Sequence, residues 1–296
     1  MIAVDWGTSQ LRAYRLDEAG AVIEARERPE GILAVPPGGF PAALDAIVAG
    51  WESAAGRVVM SGMVGSRQGW LEIPYVECPA DTASIARGVR PVEWRKGATA
   101  LICPGLVCRG SDGVPDVMRG EEVQVMGALT LEAGTGFGSI LMAGTHSKHV
   151  RVESGAITGF ETHMTGEVFA VLKAHSILGR MIEDGPPDDY AFARGVARSG
   201  EGSGLLHHLF GVRTRVLVGE MQARSVSDYL SGLLIGHTLR AAAPAPPVLV
   251  MGAPLVAERY RRACRQLGID ARTLASERAT IAGLVAIDRL LTTKAA

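Results

Sequence analysis

Two short loops in this chain join glycine to hydroxyl-bearing side chains directly after an apolar run. Asp5-Trp6-Gly7-Thr8-Ser9 follows Ile2 to Val4, and Gly144-Thr145-His146-Ser147-Lys148 follows Ser139 to Met142. A glycine admits close approach to the backbone, and the N–H groups and hydroxyls around it are the donors that a phosphate chain needs. Lys148 adds a point charge suited to phosphate. His146 is either a further contact or an ordinary loop histidine. Asp5, beside the first cradle, could hold Mg²⁺, an ion that prefers oxygen ligands and keeps several of its waters. Taken alone it could equally cap its own turn. Two such cradles facing one another would grip one nucleotide from both sides.

Three further stretches carry candidate chemistry. Gly252-Ala253-Pro254 follows the apolar run Val248 to Met251. It suits close packing against a flat adenine ring, and Pro254 also suits the first position of a helix. Ser66-Arg67-Gln68-Gly69-Trp70 is poor core material and good recognition material. Arg67 offers a planar fork for a carboxylate, Ser66 and Gln68 can bond hydroxyls, and Trp70 can form a wall. Asp116, in Pro115-Asp116-Val117-Met118-Arg119-Gly120-Glu121-Glu122, is placed to act as a general base toward an oxygen nucleophile, a role typically worth about 10²–10⁴ in rate. It can also cap the helix that follows, with Glu121 and Glu122 favouring the positive helix end. The 7 histidines show no metal-ligand spacing, so a zinc site is not expected. Gly134-Thr135-Gly136-Phe137-Gly138 fails the dinucleotide fingerprint because a helix precedes it and a strand follows. It reads as an inter-domain hinge.

The elements that must position these residues follow one order twice. The first half reads as strands Ile2 to Val4, Leu11 to Leu16 and Val22 to Glu27, a helix Gly39 to Ser53, a strand Arg57 to Met60, a helix Asp81 to Val89, a strand Ala98 to Cys103 and a helix Arg119 to Leu131. The second half reads as strands Ser139 to Met142, Val150 to Glu153 and Ala156 to Thr162, then a helix Thr165 to Leu178. A helical pair is inserted between Tyr190 and Phe210. A helix Ser225 to Arg240, a strand Val248 to Met251, a helix Leu255 to Leu267, a strand Ala271 to Leu274 and a helix Glu277 to Leu291 complete it. Setting the insertion aside, each half is βββαβαβα. The expected fold is therefore α/β: duplicated actin-like (ribonuclease H-like) βββαβαβα domains flanking a nucleotide cleft. The expected domains are 1–132, with the Ser66–Trp70 recognition loop, and 133–276, with the phosphate and adenosine sites. The last helix, 277–292, packs back at the hinge.

Bulk properties narrow the class. At 296 residues the chain sits where a single core stops growing, which favours two domains. A net charge of −1 argues against a nucleic-acid partner. No apolar run approaches the roughly 20 residues needed to span a membrane, and Met1 leads straight into a strand, without room for a signal peptide. The 4 cysteines form no CxxC pair and read as free thiols of a reducing, cytoplasmic setting.

With these stretches in view, the chain resembles the 2-dehydro-3-deoxygalactonokinases. The resemblance rests on IAVDWGTS at the start, SGMVGSRQGW (61–70), PDVMRGEE (115–122), GTHSK (144–148) and SGLLIG (231–236), and it runs from Ile2 to the final helix. DWGT is shared with many actin-like kinases, whereas SGMVGSRQGW and PDVMRGEE are specific. The resemblance implies an ATP- and Mg²⁺-dependent kinase acting on the 6-hydroxyl of 2-keto-3-deoxy-galactonate. Asp5 and Asp116 would then be catalytic, with Asp5 on the metal. Gly7, Thr8, Ser9, Gly144, Thr145, His146, Ser147, Lys148, Gly252, Ala253 and Pro254 would hold ATP. Gly62, Met63, Ser66, Arg67, Gln68, Trp70 and Arg119 would hold the sugar acid, with Arg67 facing its C1 carboxylate. The chain departs from the family pattern at Ala143 and His149, positions usually filled by proline and an aromatic. The expected partners are the sugar acid and ATP, without nucleic acid or membrane, and self-association into a homodimer is left open. Rival readings are a kinase for the gluco epimer, a phosphohydrolase, and a nucleotide-switched filament protein.

Overall fold

A computed structural model of the chain describes residues 1–51, 57–110, 112–134 and 136–293. These fall into two compact units. One holds residues 1–136, 152–160 and the segment from 276 onward; the other holds 137–151 and 161–275.

The first unit is built on a six-stranded sheet. Its strands are β1 (Ile2–Trp6), β2 (Leu11–Leu16), β3 (Val22–Arg28), β4 (Val58–Gly62), β6 (Arg90–Arg95) and β7 (Ala98–Ile102), in the order β3-β2-β1-β4-β7-β6. β1, β4 and β7 are parallel, whereas β2, β3 and β6 run against their neighbours. The parallel centre is buried on both faces, which is why Ile2 to Val4 and Val58 to Met60 read as unbroken apolar runs. β5 (Val76–Glu77), β8 (Leu106–Arg109) and β9 (Pro115–Met118) form a separate three-stranded sheet. Helices α1 (Phe40–Val48), α2 (Thr82–Gly88), α3 (Glu121–Leu131) and α9 (Ser276–Thr293) complete the unit. Asp81 caps α2 by accepting from the Ser84 N–H at 2.7 Å.

A five-stranded sheet consists of β10 (Ser139–Ala143), β11 (Ser147–Glu153), β12 (Ala156–His163), β13 (Val248–Gly252) and β14 (Ala271–Ala275), in the order β12-β11-β10-β13-β14; it belongs to the second unit except for residues 152–160 of β11 and β12, which group with the first. Helices α4 (Thr165–His175), α5 (Asp189–Arg198), α6 (Gly204–Leu217), α7 (Val226–Ala242) and α8 (Pro254–Gln266) surround it. The two large sheets share one plan: an antiparallel meander whose first strand pairs in parallel with later strands. This is the duplicated actin-like arrangement expected from the element order.

The differences are local. β5, β6, β8 and β9 were not expected. β6 leaves only Trp94 buried and Val92 half-buried among exposed residues, three of them charged, so it carries little apolar signal. β5, β8 and β9 are too short for periodicity to show. α1 ends at Val48, short of the expected Ser53, and positions 52 and 53 lie outside the described residues. Thr135 of the expected hinge also lies outside them. β11 starts at Ser147 because Met142 pairs with Lys148, so the loop after β10 is shorter than the sequence suggested.

Candidate active site

In the second unit, β10, α4, α7 and α8 enclose a cavity of about 620 Å³, within the range of small-molecule sites. Phe169, Leu234, Ile235 and Val256 give it an apolar lining, and Gly144, Thr145, Ser231 and Arg259 bring polar groups to it. The ends of β10 and β13 meet at its edge, where Ala143 and Gly252 are register partners. A Cβ on Gly252 would lie 2.3 Å from the Ala143 carbonyl oxygen, so only glycine lets these strand ends close up. That closure sets Gly144 and Ala253 along one cavity. Pro254 opens α8 in its first turn, as its fixed φ favours.

The five residues of the second Gly-Thr loop divide. Gly144 and Thr145 line the cavity. His146 stays exposed and bonds the Glu167 carboxylate through Nε2. Ser147 is fully buried: its hydroxyl donates to the Gly144 carbonyl at 3.2 Å and lies 2.8 Å from the Tyr260 hydroxyl. With the Ser147 proton spent on Gly144, Tyr260 donates to Ser147, and the pair braces the loop from beneath. Thr165 and Thr238 share a second buried hydroxyl bond at 2.7 Å. Lys148 lies within β11, buried, with Nζ donating to the His146 carbonyl at 3.4 Å. Ser147 and Lys148 are thus strand residues rather than the loop donors the sequence suggested. His149, next along β11, is buried with neither ring nitrogen partnered, and burial, then the neighbouring His163, hold its pKa down to about 3.

In the first unit the first Gly-Thr loop is a tight turn closed by the Gly7 N–H donating to the Gln10 carbonyl at 2.9 Å. Thr8 and Ser9 are exposed. Asp5 lies inside β1, opposite Ser61 on β4 and Arg12 on β2. Its side chain keeps 21% of its surface exposed and stands 3.8 Å from the Arg12 guanidinium. Burial raises its pKa to about 6; Arg12 pulls against this and the Glu121 carboxylate adds to it. Gly62 adopts a φ of +97°, and a Cβ there would come within 2.7 Å of the Trp6 carbonyl oxygen. A Cβ on Gly120 would in turn lie 3.0 Å from the Gly62 Cα. Asp5, Gly62, Gly120 and Glu121 are therefore gathered at the carboxyl ends of β1 and β4, the edge at which open α/β sheets bind ligands.

Asp116 lies within β9 opposite Cys108, half-buried, with Oδ1 accepting from the Val117 N–H at 2.8 Å. It does not cap α3. The cap is made from inside the helix: Glu121 accepts from the Arg119 N–H at 3.1 Å and Glu122 from the Gly120 N–H at 2.7 Å. Glu122 is fully buried, and burial, reinforced by Glu121, raises its pKa to about 8.

The Ser61–Trp70 loop winds back on itself through a 3-10 turn at Met63–Gly65. Ser66 is buried and Gln68 exposed. Arg67 points outward with 87% of its side chain exposed, 3.4 Å from Glu72. Trp70 stacks on Phe40 with ring centroids 6.0 Å apart, so it packs against the core beside the loop. Arg119 is buried, donates from Nη2 to the Ile73 carbonyl at 2.8 Å and lies 4.3 Å over the Tyr75 ring.

Comparison with known proteins places this geometry in a family. The family model described as 2-keto-3-deoxy-galactonokinase matches residues 5–287. A 2-dehydro-3-deoxygalactonokinase from Escherichia coli (strain K12) is 35% identical over 97% of this chain and 96% of its own length. A protein of Rhizobium meliloti (strain 1021), named as a probable 2-dehydro-3-deoxygalactonokinase, is 35% identical over 98% of this chain and 96% of its own. The chain belongs to the 2-keto-3-deoxy-galactonokinase family.

A crystal structure of a Sinorhizobium meliloti protein with the same provisional designation superposes with a TM-score of 0.89, at 35% identity and 98% coverage of both chains. The motifs that carry the family likeness are spread over both units. SGMVGSRQGW and PDVMRGEE lie in the first, GTHSK and SGLLIG in the second. Within SGLLIG, Ser231, Leu234 and Ile235 line the cavity. Tyr260 and Arg259 also line it. The sequence offers Glu121 only a role at the positive end of α3. An Arg and a Tyr inside an ordinary amphipathic helix, and a Glu in a first turn, carry no local signal of function. Among the described residues no three His, Cys, Asp or Glu side chains are grouped to hold a metal, and no helix is long and apolar enough to cross a membrane.

Proposed function

We propose that this 2-keto-3-deoxy-galactonokinase transfers the γ-phosphate of ATP to the 6-hydroxyl of 2-keto-3-deoxy-galactonate. The observation that carries the nucleotide half of this reading is the apolar cavity in the second unit, edged by Gly144, Thr145 and Ala253. Its size and lining suit an adenosine, and the Gly144-Thr145 turn offers donors to the phosphates. Within the first unit Gly7, Thr8 and Ser9 offer donors of the same kind, with two exposed hydroxyls. In this reading Gly252 and Pro254 shape the adenosine seat, Ser147 holds the loop's form, and His146 and Lys148 act at its margin.

Mg²⁺ fits the donor set of the first unit. It takes few protein ligands and completes its shell with water and phosphate oxygens, and Asp5 is a partly exposed carboxylate at a strand end. Asp5 would hold the ion, which supplies charge neutralisation to the phosphates. The residues of the chain do the rest by positioning, the main source of rate in phosphoryl transfer.

The acceptor hydroxyl must lose its proton as the phosphoryl group arrives. Asp116 was the base suggested by sequence. Glu121 opens α3 directly after Gly120, which packs on Gly62 at the strand edge beside Asp5, and we assign the proton to it, with Asp116 orienting the substrate. Gly62, Met63, Ser66, Gln68 and Trp70 form the acceptor side, with Trp70 stiffening it through Phe40. A coupled ADP-release assay with ATP, Mg²⁺ and a panel of keto-deoxy sugar acids tests the reading. Release stimulated by the galacto acid supports it; release indifferent to every acid overturns it.

A further inference from the structure

The acceptor is an anion, and this inference rests on that reading. The sequence offers Arg67 as the cation that meets its C1 carboxylate. In the structure Arg67 is 87% exposed and leans on Glu72. An exposed pair of this kind is worth little and orients little. Arg119 is the opposite case. The residue is only 9% exposed, yet Nε and Nη1 have no hydrogen-bond partner. Among the described residues no carboxylate forms an ion pair with it, because Glu122, on the adjoining turn, spends Oε2 on the Gly120 N–H and leaves Oε1 unpartnered.

A buried guanidinium with three unused N–H donors is unfavourable unless an anion or further acceptors complete it. Glu122 attracts Arg119 without pairing with it, and the direct contacts of the guanidinium hold it in place rather than neutralise it. The Ile73 carbonyl takes one N–H at 2.8 Å, and the Tyr75 ring covers a face at 4.3 Å. A Cβ on Gly65 would lie 3.1 Å from Nη1, so the recognition loop runs directly against the guanidinium. The next residue, Ser66, is buried with its hydroxyl unpartnered as well. Tyr75 is itself 41% exposed, so the stacked pair lies close to solvent. We infer that Arg119, with the unpartnered Ser66 hydroxyl from the loop that runs against it, seats the C1 carboxylate of the sugar acid, and that Arg67 does not. Arginine suits this task because its planar fork binds a carboxylate through more than one N–H.

The test compares Arg119→Met, Arg119→Lys and Arg67→Met, each checked for an unchanged melting profile. Two probes are titrated calorimetrically and assayed with ATP: 2-keto-3-deoxy-galactonate and its C1 amide, which keeps every hydroxyl and loses the charge. Arg119→Met should weaken the acid about 100-fold, leave the amide within about 3-fold and leave the KM for ATP unchanged. Arg119→Lys should weaken the acid about 10-fold, since the charge remains and the fork is lost; it serves as the deciding variant if Arg119→Met does not fold. Arg67→Met should change acid binding by less than about 3-fold. Equal losses for acid and amide in the Arg119 variants, or an acid-selective loss in Arg67→Met, would overturn the assignment. Acid-selective binding that depends on Arg119 without any turnover would sink the kinase reading and keep the seat. Turnover indifferent to Arg119 would do the reverse, and a wild-type protein that neither binds nor phosphorylates the acid would contradict both.

Discussion

Gly62 lies against Asp5 so closely that a Cβ at position 62 would stand 3.4 Å from the Asp5 Oδ1. The same atom would press on the Trp6 carbonyl at 2.7 Å, and the φ of +97° at Gly62 is one that L side chains rarely adopt. Gly62→Ala should therefore cost about 1–3 kcal/mol of stability. It should also lower kcat/KM at least about 100-fold, because the clash with the Trp6 carbonyl shifts the strand end that carries Asp5, a loss of the size that small misplacements near the chemistry produce. Denaturant unfolding and steady-state kinetics check the two parts separately. A stable variant with near-wild-type turnover would show that the Asp5 position is not critical.

The proton assignment separates two carboxylates on neighbouring stretches. Glu121→Gln should reduce kcat by about 10²–10⁴ with nucleotide binding retained, the usual contribution of a positioned base. Asp116→Asn should raise the KM for the acid and spare most of kcat. The opposite pattern would return the base to Asp116.

The cavity of the second unit makes a prediction about ATP alone. Ala170 lines it from α4, and Ala170→Phe places a ring in the space proposed for adenosine. The KM for ATP should rise at least about 20-fold while the KM for the acid stays within about 3-fold. A shift in the acid KM alone would place the nucleotide elsewhere.

Burial raises the Glu122 carboxyl from 4.5 to about 8. Because the folded value lies above the unfolded one, the stabilisation is fully present below pH 4.5 and is lost as pH rises through about 8. Thermal melts should show the wild type losing stability between about pH 4.5 and pH 8 and levelling off above that, and Glu122→Gln, which cannot ionise, should show a much flatter profile over that range. Parallel profiles would mean that Glu122 does not titrate in this window.

The repeated order of long elements was legible because central strands such as β1, β10 and β13 are buried on both faces and carry unbroken apolar runs. β6, with one buried tryptophan among charges, and the short β5, β8 and β9 were not, and Asp116 went with them into a strand rather than a loop. Among the candidate site residues, Asp5, Gly144, Thr145 and Ala253 stand at or beside strand ends, as glycine and hydroxyl spacing suggests. Ser147 and Lys148 looked like loop donors because strand pairing, which carries β11 back to Ser147, is a tertiary fact. Arg67 and Arg119 show the same limit: both are arginines near glycines, and only burial distinguishes the paired surface cation from the unpaired interior one.

The central claim is phosphoryl transfer to a sugar-acid hydroxyl, and the fate of the γ-phosphate tests it most directly. ³¹P NMR of a reaction containing the protein, ATP, Mg²⁺ and 2-keto-3-deoxy-galactonate should show a phosphomonoester coupled to the protons on C6, growing in step with ADP. Inorganic phosphate as the sole product, at a rate unaffected by the acid, would contradict it.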